Sequence, residues 1–152
     1  MTKKTKNAME KHGRMIQQIF VHDPWKLLVG CIMLNQTTGT QVHQVIHTFF
    51  DKYPNAALAS KARIPSIEKI IKPLGLFRRR AKSIKQFSHD YLNKNWKRPS
   101  ECYGIGKYAE DSWDIFVMGN LKVRPNDKEL KAYLKYIKNN RKKISVLPNK
   151  TV

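Results

Sequence analysis

The stretch Tyr103-Gly104-Ile105-Gly106-Lys107-Tyr108 stops one helical apolar pattern and starts another within a few residues. Glycine on either side of a single apolar residue makes a tight turn between two helices and leaves its backbone N–H groups uncovered by side chains. Such a turn at a helix start can grip a phosphate, and Lys107 adds charge beside it. Elsewhere the apolar spacing is helical almost throughout, with no convincing period-two alternation, so the fold class is all-α.

The spacing predicts a first helix over 7–20, with Met15, Ile16, Ile19 and Phe20 facing inward. In His22-Asp23-Pro24-Trp25, an Asp cap followed by Pro starts the next helix, 24–34, which is apolar nearly all round and therefore central in the core. Asn35-Gln36-Thr37-Thr38-Gly39 ends it, and helices over 40–52, 55–60 and 65–71 follow. The Pro/Gly-punctuated turn Pro73-Leu74-Gly75-Leu76-Phe77 leads into a long basic helix over 78–95. Pro99 starts a short helix. After the Gly-Ile-Gly turn comes a helix over 107–118, stopped by Gly119-Asn120, and Asp127 caps a last helix over 128–140.

The chain carries 30 basic and 11 acidic residues in 152, a formal charge of +19, and a field of that sign attracts polyanions, which points to nucleic acid. The charge is uneven: 78–98 holds Arg78, Arg79, Arg80, Lys82, Lys85, Lys94, Lys97 and Arg98 against Asp90 alone, whereas 101–114 holds Glu101, Glu110, Asp111 and Asp114. One surface should therefore face nucleic acid and another should not. The expected organisation is a basic N-terminal tail and helix start (1–13), one domain (14–140) and a basic C-terminal tail (141–152), the tails adding salt-sensitive affinity.

An apolar fraction of 41% is enough for a core, and no apolar run approaches the ~20 residues that span a bilayer. With no signal-peptide pattern either, a soluble, intracellular chain without membrane partners is expected. Cys31 and Cys102 fit free thiols in a reducing compartment, and four cysteines for zinc or an iron–sulfur cluster are absent, so neither a metal site nor a cofactor is expected. The five histidines are scattered, His22 standing just ahead of a helix start.

A helix, a Gly-Ile-Gly hairpin, a second helix and an Asp about twenty residues on resembles the helix-hairpin-helix DNA glycosylase superfamily, which includes endonuclease III and the adenine-excising MutY enzymes. Five ordered motifs, His22-Asp23-Pro24-Trp25-Lys26-Leu27-Leu28, Leu34-Asn35-Gln36-Thr37-Thr38-Gly39, Lys72-Pro73-Leu74-Gly75-Leu76, Arg80-Ala81-Lys82 and Gly104-Ile105-Gly106-Lys107-Tyr108, are most similar to the branch formed by the glycosylase domains of methyl-CpG-binding domain protein 4. They cover roughly 16–140.

The resemblance implies a helical bundle with a DNA-binding cleft between two lobes. It also implies base excision: thymine or uracil mispaired with guanine is flipped out and its N-glycosidic bond hydrolysed, leaving an abasic site. The partner would be double-stranded DNA with G·T or G·U mismatches, CpG sites among them, bound by a nuclear monomer. Asp127 would be catalytic, stabilising a cationic sugar and orienting water, a role compatible with capping.

Tyr108 stands where bifunctional relatives carry the Schiff-base lysine, which implies monofunctional chemistry, and Gln17 matches the amide that hydrogen-bonds the extruded pyrimidine. Leu76 matches an apolar wedge; Arg80, Lys82 and the Gly104, Ile105, Gly106 and Lys107 hairpin match backbone contacts. Two positions depart from the mammalian pattern: Gln36 replaces an arginine that fills the vacated gap, and Glu129 replaces a lysine near the pocket. The alternatives are a MutY-like or endonuclease III-like specificity, against which the missing cluster cysteines and hairpin lysine speak, and a non-catalytic duplex-binding module.

Overall fold

The computed structural model describes residues 15–146; the predicted helix start over 7–14 and the outer parts of both basic tails lie outside the described residues. The described chain is helical without strands. Helix α1 (Ile16–Ile19) is one turn, followed by α2 (Pro24–Leu34), α3 (Gly39–Lys52), α4 (Ala56–Lys61), α5 (Ile64–Ile71) and the long α6 (Phe77–Asn93). After a short turn of 3-10 helix at Pro99–Glu101 come the hairpin, α7 (Lys107–Ser112), a wider turn at Trp113–Val117, and α8 (Lys128–Val146).

Local chemistry sets these boundaries. The Asp23 carboxylate accepts the Lys26 N–H and Pro24 fills the first turn of α2, the arrangement that leaves fewest orphaned donors at a helix start. Helix α3 begins at Gly39, one residue ahead of its apolar pattern, because Thr38 and Gln41 cap each other reciprocally. Asn55 caps α4 by accepting the Leu58 N–H on its side chain.

Helix α2 is the hub, as its all-round apolar sequence implies: Trp25, Leu27, Leu28, Val29, Cys31, Ile32 and Met33 are all buried. It packs against α1, α3, α6, α7 and the wider turn, while α4 and α5 lie on α6. Phe50 of α3 receives edge contacts from Phe20, Trp25 and Phe49 at centroid distances of 5.0, 5.4 and 5.4 Å, fixing α3 to the start of α2.

The expected continuous helix over 107–118 is corrected by the structure. From Trp113 to Val117 the backbone widens into a π turn, closed by the Met118 N–H donating to the Trp113 carbonyl at 3.1 Å. The extra residue lets Ile115 and Phe116 both reach the core while Asp114 stays outside, bonded to Arg98 at 2.7 Å. No periodicity of 3.6 reports such an insertion.

One polar bond ties α2 to α6 inside the core: the Trp25 indole N–H donates to Ser88 Oγ at 3.0 Å, and Ser88 donates onward to the Ile84 carbonyl at 2.7 Å. Removing the hydroxyl strands a buried indole donor. Ser88→Ala is therefore expected to lower unfolding free energy by about 1–3 kcal/mol, measured by urea melts, more than deleting one exposed hydroxyl such as Ser100.

Candidate active site and nucleic-acid interface

The hairpin is held on α6 by its own backbone. Gly104 adopts φ +80°, a left-handed conformation that favours glycine, and a side chain there would lie 3.4 Å from Ser83 Cβ. The Tyr103 N–H donates to Asp90 Oδ2 at 2.8 Å, and Ile105 is buried as the anchor between the glycines. At Gly106 an added Cβ would meet open space, and no side chain caps the first turn of α7, which leaves its leading N–H groups without a side-chain acceptor.

Lys107 does more than lend charge to that turn. Its ammonium donates to Asp111 Oδ2 at 2.6 Å and to the Arg124 carbonyl at 3.3 Å, tethering the loop that precedes Asp127 to α7. The other acids expected to mark a surface turned away from nucleic acid are also engaged around the hairpin. Arg98 pairs with Glu110 at 2.6 Å and with Asp114 at 2.7 Å, which raises its pKa further, and its guanidinium lies 5.3 Å from the Trp113 ring centroid. Glu101 accepts the backbone N–H groups of Lys97 and Arg98, and those bonds, Arg98's first, hold its carboxyl below the usual range.

Beneath the hairpin α1, α2, α7 and the start of α8 meet. Gln17 is 1% exposed, and its side-chain N–H groups donate to Tyr108 Oη at 2.7 Å and Ser112 Oγ at 3.3 Å. Both amide hydrogens are thereby committed, so what Gln17 offers a ligand is its carbonyl oxygen, while the Tyr108 hydroxyl keeps its proton to donate. Burial chiefly, then the neighbouring Cys31, Asp127 and Glu129, pushes the Tyr108 phenol up against a smaller lowering by the Gln17 bond, so Tyr108 stays neutral. Burial likewise pushes the Cys31 thiol up to about 12, partly offset by its hydrogen bond to Ser112 and reinforced by Asp127.

The Asp127 carboxylate at the start of α8 adds a smaller electrostatic push to the upward shifts of Cys31 and Tyr108. Half-buried, it accepts the Leu130 N–H on Oδ2 at 2.9 Å and so caps α8. Among the described residues Oδ1 accepts no hydrogen bond, so capping leaves one oxygen for chemistry. Cys31 and Ser112 are members of the cluster that sequence reasoning missed. Ser112 carried a usable signal, since four residues after Tyr108 it shares that residue's helical face; Cys31 was hidden inside the apolar run of α2.

Gln36 and Leu76 stand apart from this cluster, exposed on two turns, Leu76 at 53%. Among the described residues they are the non-glycine positions with positive φ, at 58° and 46°. Lys82 is exposed on α6 and lines, with Lys85, Gln86, His89, Tyr103 and Ser60, an open groove of about 440 Å³ beside the hairpin, to whose lining Asp127 does not contribute. Arg80 corrects its expected role as a backbone contact: it is 5% exposed, and its guanidinium donates to the Leu74 and Asn35 carbonyls. No group of three or more His, Cys, Asp or Glu side chains among the described residues is arranged to hold a metal, and no described helix is long and apolar enough to cross a membrane.

Residues 29–147 match the HhH-GPD superfamily of base excision DNA repair proteins, and the chain belongs to that family. It is 40% identical over 125 residues to the methyl-CpG-binding domain protein 4-like protein of Arabidopsis thaliana, covering 82% of this chain and 28% of that one. It is 33% identical over 94 residues to a thymine/uracil-DNA glycosylase of Pyrobaculum aerophilum, covering 57% and 41%. The chain thus spans less than half the length of either relative.

In fold it is similar to a thermostable thymine-DNA glycosylase, with a TM-score of 0.60 at 24% identity over 74% of this chain and 62% of that one. It is also similar to endonuclease III trapped as a covalent intermediate with DNA, with a TM-score of 0.59 at 16% identity over 97% and 79%.

The buried Cys31 thiol makes stability fall in alkali. An unfolded cysteine ionises near pH 8.5, whereas Cys31 holds its proton to about 12, so above pH ~8.5 the unfolded state releases the proton first. Urea midpoints are expected to drop as pH rises from 8.5 towards 11, this thiol contributing at most about 1.4 kcal/mol per pH unit. Cys31→Ala should show a shallower decline over the same range.

Proposed function

We propose that this chain is a monofunctional DNA glycosylase that removes thymine or uracil mispaired with guanine and leaves an abasic site. The observation that carries the reading is the buried hydrogen bond between Gln17 and Tyr108, the first residue after the Gly-x-Gly–Lys turn, in a chain whose last helix is capped by the Asp127 carboxylate. The Gln17 carbonyl oxygen is complementary to the N3–H of an extruded pyrimidine, and the neutral Tyr108 hydroxyl to a carbonyl of the same base. Substrate is double-stranded DNA, mismatches at CpG sites included, bound by a monomer acting in the nucleus.

In this mechanism the base leaves with the electron pair of the C1′–N bond while positive charge develops on the sugar. Asp127 Oδ1 faces that charge and stabilises it, then takes a proton from the water whose oxygen bonds C1′. A phenol cannot form a Schiff base, so Tyr108 supplies no covalent step and the strand stays intact. The Gly104–Gly106 turn and Lys82 hold the phosphate backbone, and Leu76 and Gln36 occupy the space around the flipped nucleotide. Glutamine at position 36 hydrogen-bonds the orphaned guanine without seeking a phosphate, and Glu129 leaves the pocket rim acidic.

The test is incubation with labelled duplexes containing G·T, G·U, A·T or 8-oxoguanine·A, followed by alkali, with borohydride trapping in parallel. Cleavage confined to G·T and G·U, with no trapped adduct, is expected; cleavage of the 8-oxoguanine pair would favour a MutY-like specificity, and binding without cleavage a non-catalytic module. Asp127→Asn keeps a good helix cap but removes the charge, so single-turnover excision should fall on the order of a hundredfold or more while binding persists. Near wild-type excision by that variant would reduce Asp127 to a cap.

The formal charge of +19 also predicts a steep loss of duplex affinity with salt. In a plot of log affinity against log salt, Lys82→Ala should lower the slope by about 1 and weaken matched and mismatched duplexes alike.

A further inference from the structure

Arg80 is an arginine on the basic helix whose charge is turned inward. It is 5% exposed; Nη1 donates to the Leu74 carbonyl at 3.2 Å and Nη2 to the Asn35 carbonyl. Those carbonyls lie six and 45 residues away in sequence, on turns that have no covalent reason to move together. Asn35 directly precedes the left-handed, exposed Gln36, and Leu74 stands two residues before the left-handed, exposed Leu76, with the left-handed Gly75 between them. Backbone in that region persists only where its surroundings over-determine it.

We propose that Arg80 is a positioning residue: its planar guanidinium spans both carbonyls and presents Gln36 and Leu76 to the duplex as one rigid unit. The inference rests on the glycosylase reading above, in which those two side chains occupy the space around the extruded nucleotide. Opening a base pair and filling the gap must occur together, and a wedge and a finger fixed relative to each other lose no freedom when they enter. A lysine ammonium is a compact point donor and cannot bridge two carbonyls in the fork geometry of arginine.

Single-turnover excision on two duplexes separates this role from others: uracil opposite guanine, and uracil opposite an abasic analogue, where there is no pair to open. Arg80→Lys is expected to lose about tenfold on the paired substrate and about twofold or less on the unpaired one. Placed on top of Leu76→Ala and Gln36→Ala together, the same substitution should cost nothing further. Arg80→Met should leave the salt slope of duplex binding at the wild-type value, whereas removal of a phosphate contact would lower it by about 1.

Equal losses on both duplexes, or a lowered slope, overturn the proposal. Should the Arg80 variants not fold, the cycle between Leu76→Ala and Gln36→Ala in the otherwise unchanged chain decides, because both side chains are exposed: coupled losses support the strap and additive losses overturn it. Wild-type protein that cuts neither duplex would sink the glycosylase reading itself, whereas an active wild type with a lowered Arg80→Met slope sinks the strap alone.

Discussion

A helix with no wet face fixes everything around it. Burial of each large side chain of α2 contributes about 1.5–3 kcal/mol, and because those side chains point in every direction, no rotation of the helix spares any of them. Its ends inherit that rigidity. Trp25 near its start is bonded to Ser88 of α6, and the Asn35 carbonyl at its end to Arg80. The buried Gln17–Tyr108 cluster and the Gln36 turn are therefore fastened to one core element, and the Leu76 turn is joined to that element through Arg80.

Polar spending around the hairpin follows a related logic. The four acids of 101–114 are engaged by Arg98, Lys107 and backbone N–H groups, so the segment that carries the Gly-Ile-Gly turn is stiffened by its own ion pairs. The exposed cations of α6, Arg78, Arg79 and Lys82 among them, are left for a polyanion. Each surface pair contributes little singly; as a network sharing Arg98 and the Trp113 ring, they fix geometry more than they add stability.

What the sequence made legible was whatever depends on local chemistry. The Asp23-Pro24 start, the all-round burial of 24–34, the capping role of Asp127 and the Gly-Ile-Gly turn all follow from residue types at fixed offsets, and each stands in the structure. What stayed hidden depends on partners far along the chain. Nothing near Arg80 says that a basic residue among other basic residues turns inward, because its acceptors are backbone carbonyls on two other turns. Gln17 could be matched by resemblance, yet its burial against Tyr108 joins residues 91 apart, and the π turn at Trp113–Val117 inserts a residue that no periodicity registers.

The left-handed backbone at Gln36 and Leu76 sets stability against activity. For an L-residue that conformation costs about 1–2 kcal/mol, and glycine would relieve it at either turn. A glycine there would also erase the side chain that the turn exists to display. Selection or engineering for thermal tolerance would thus favour glycine at the two positions where the proposed base extrusion needs a bulky side chain, so a stabilised descendant that keeps that activity is expected to gain its stability elsewhere and keep these turns strained.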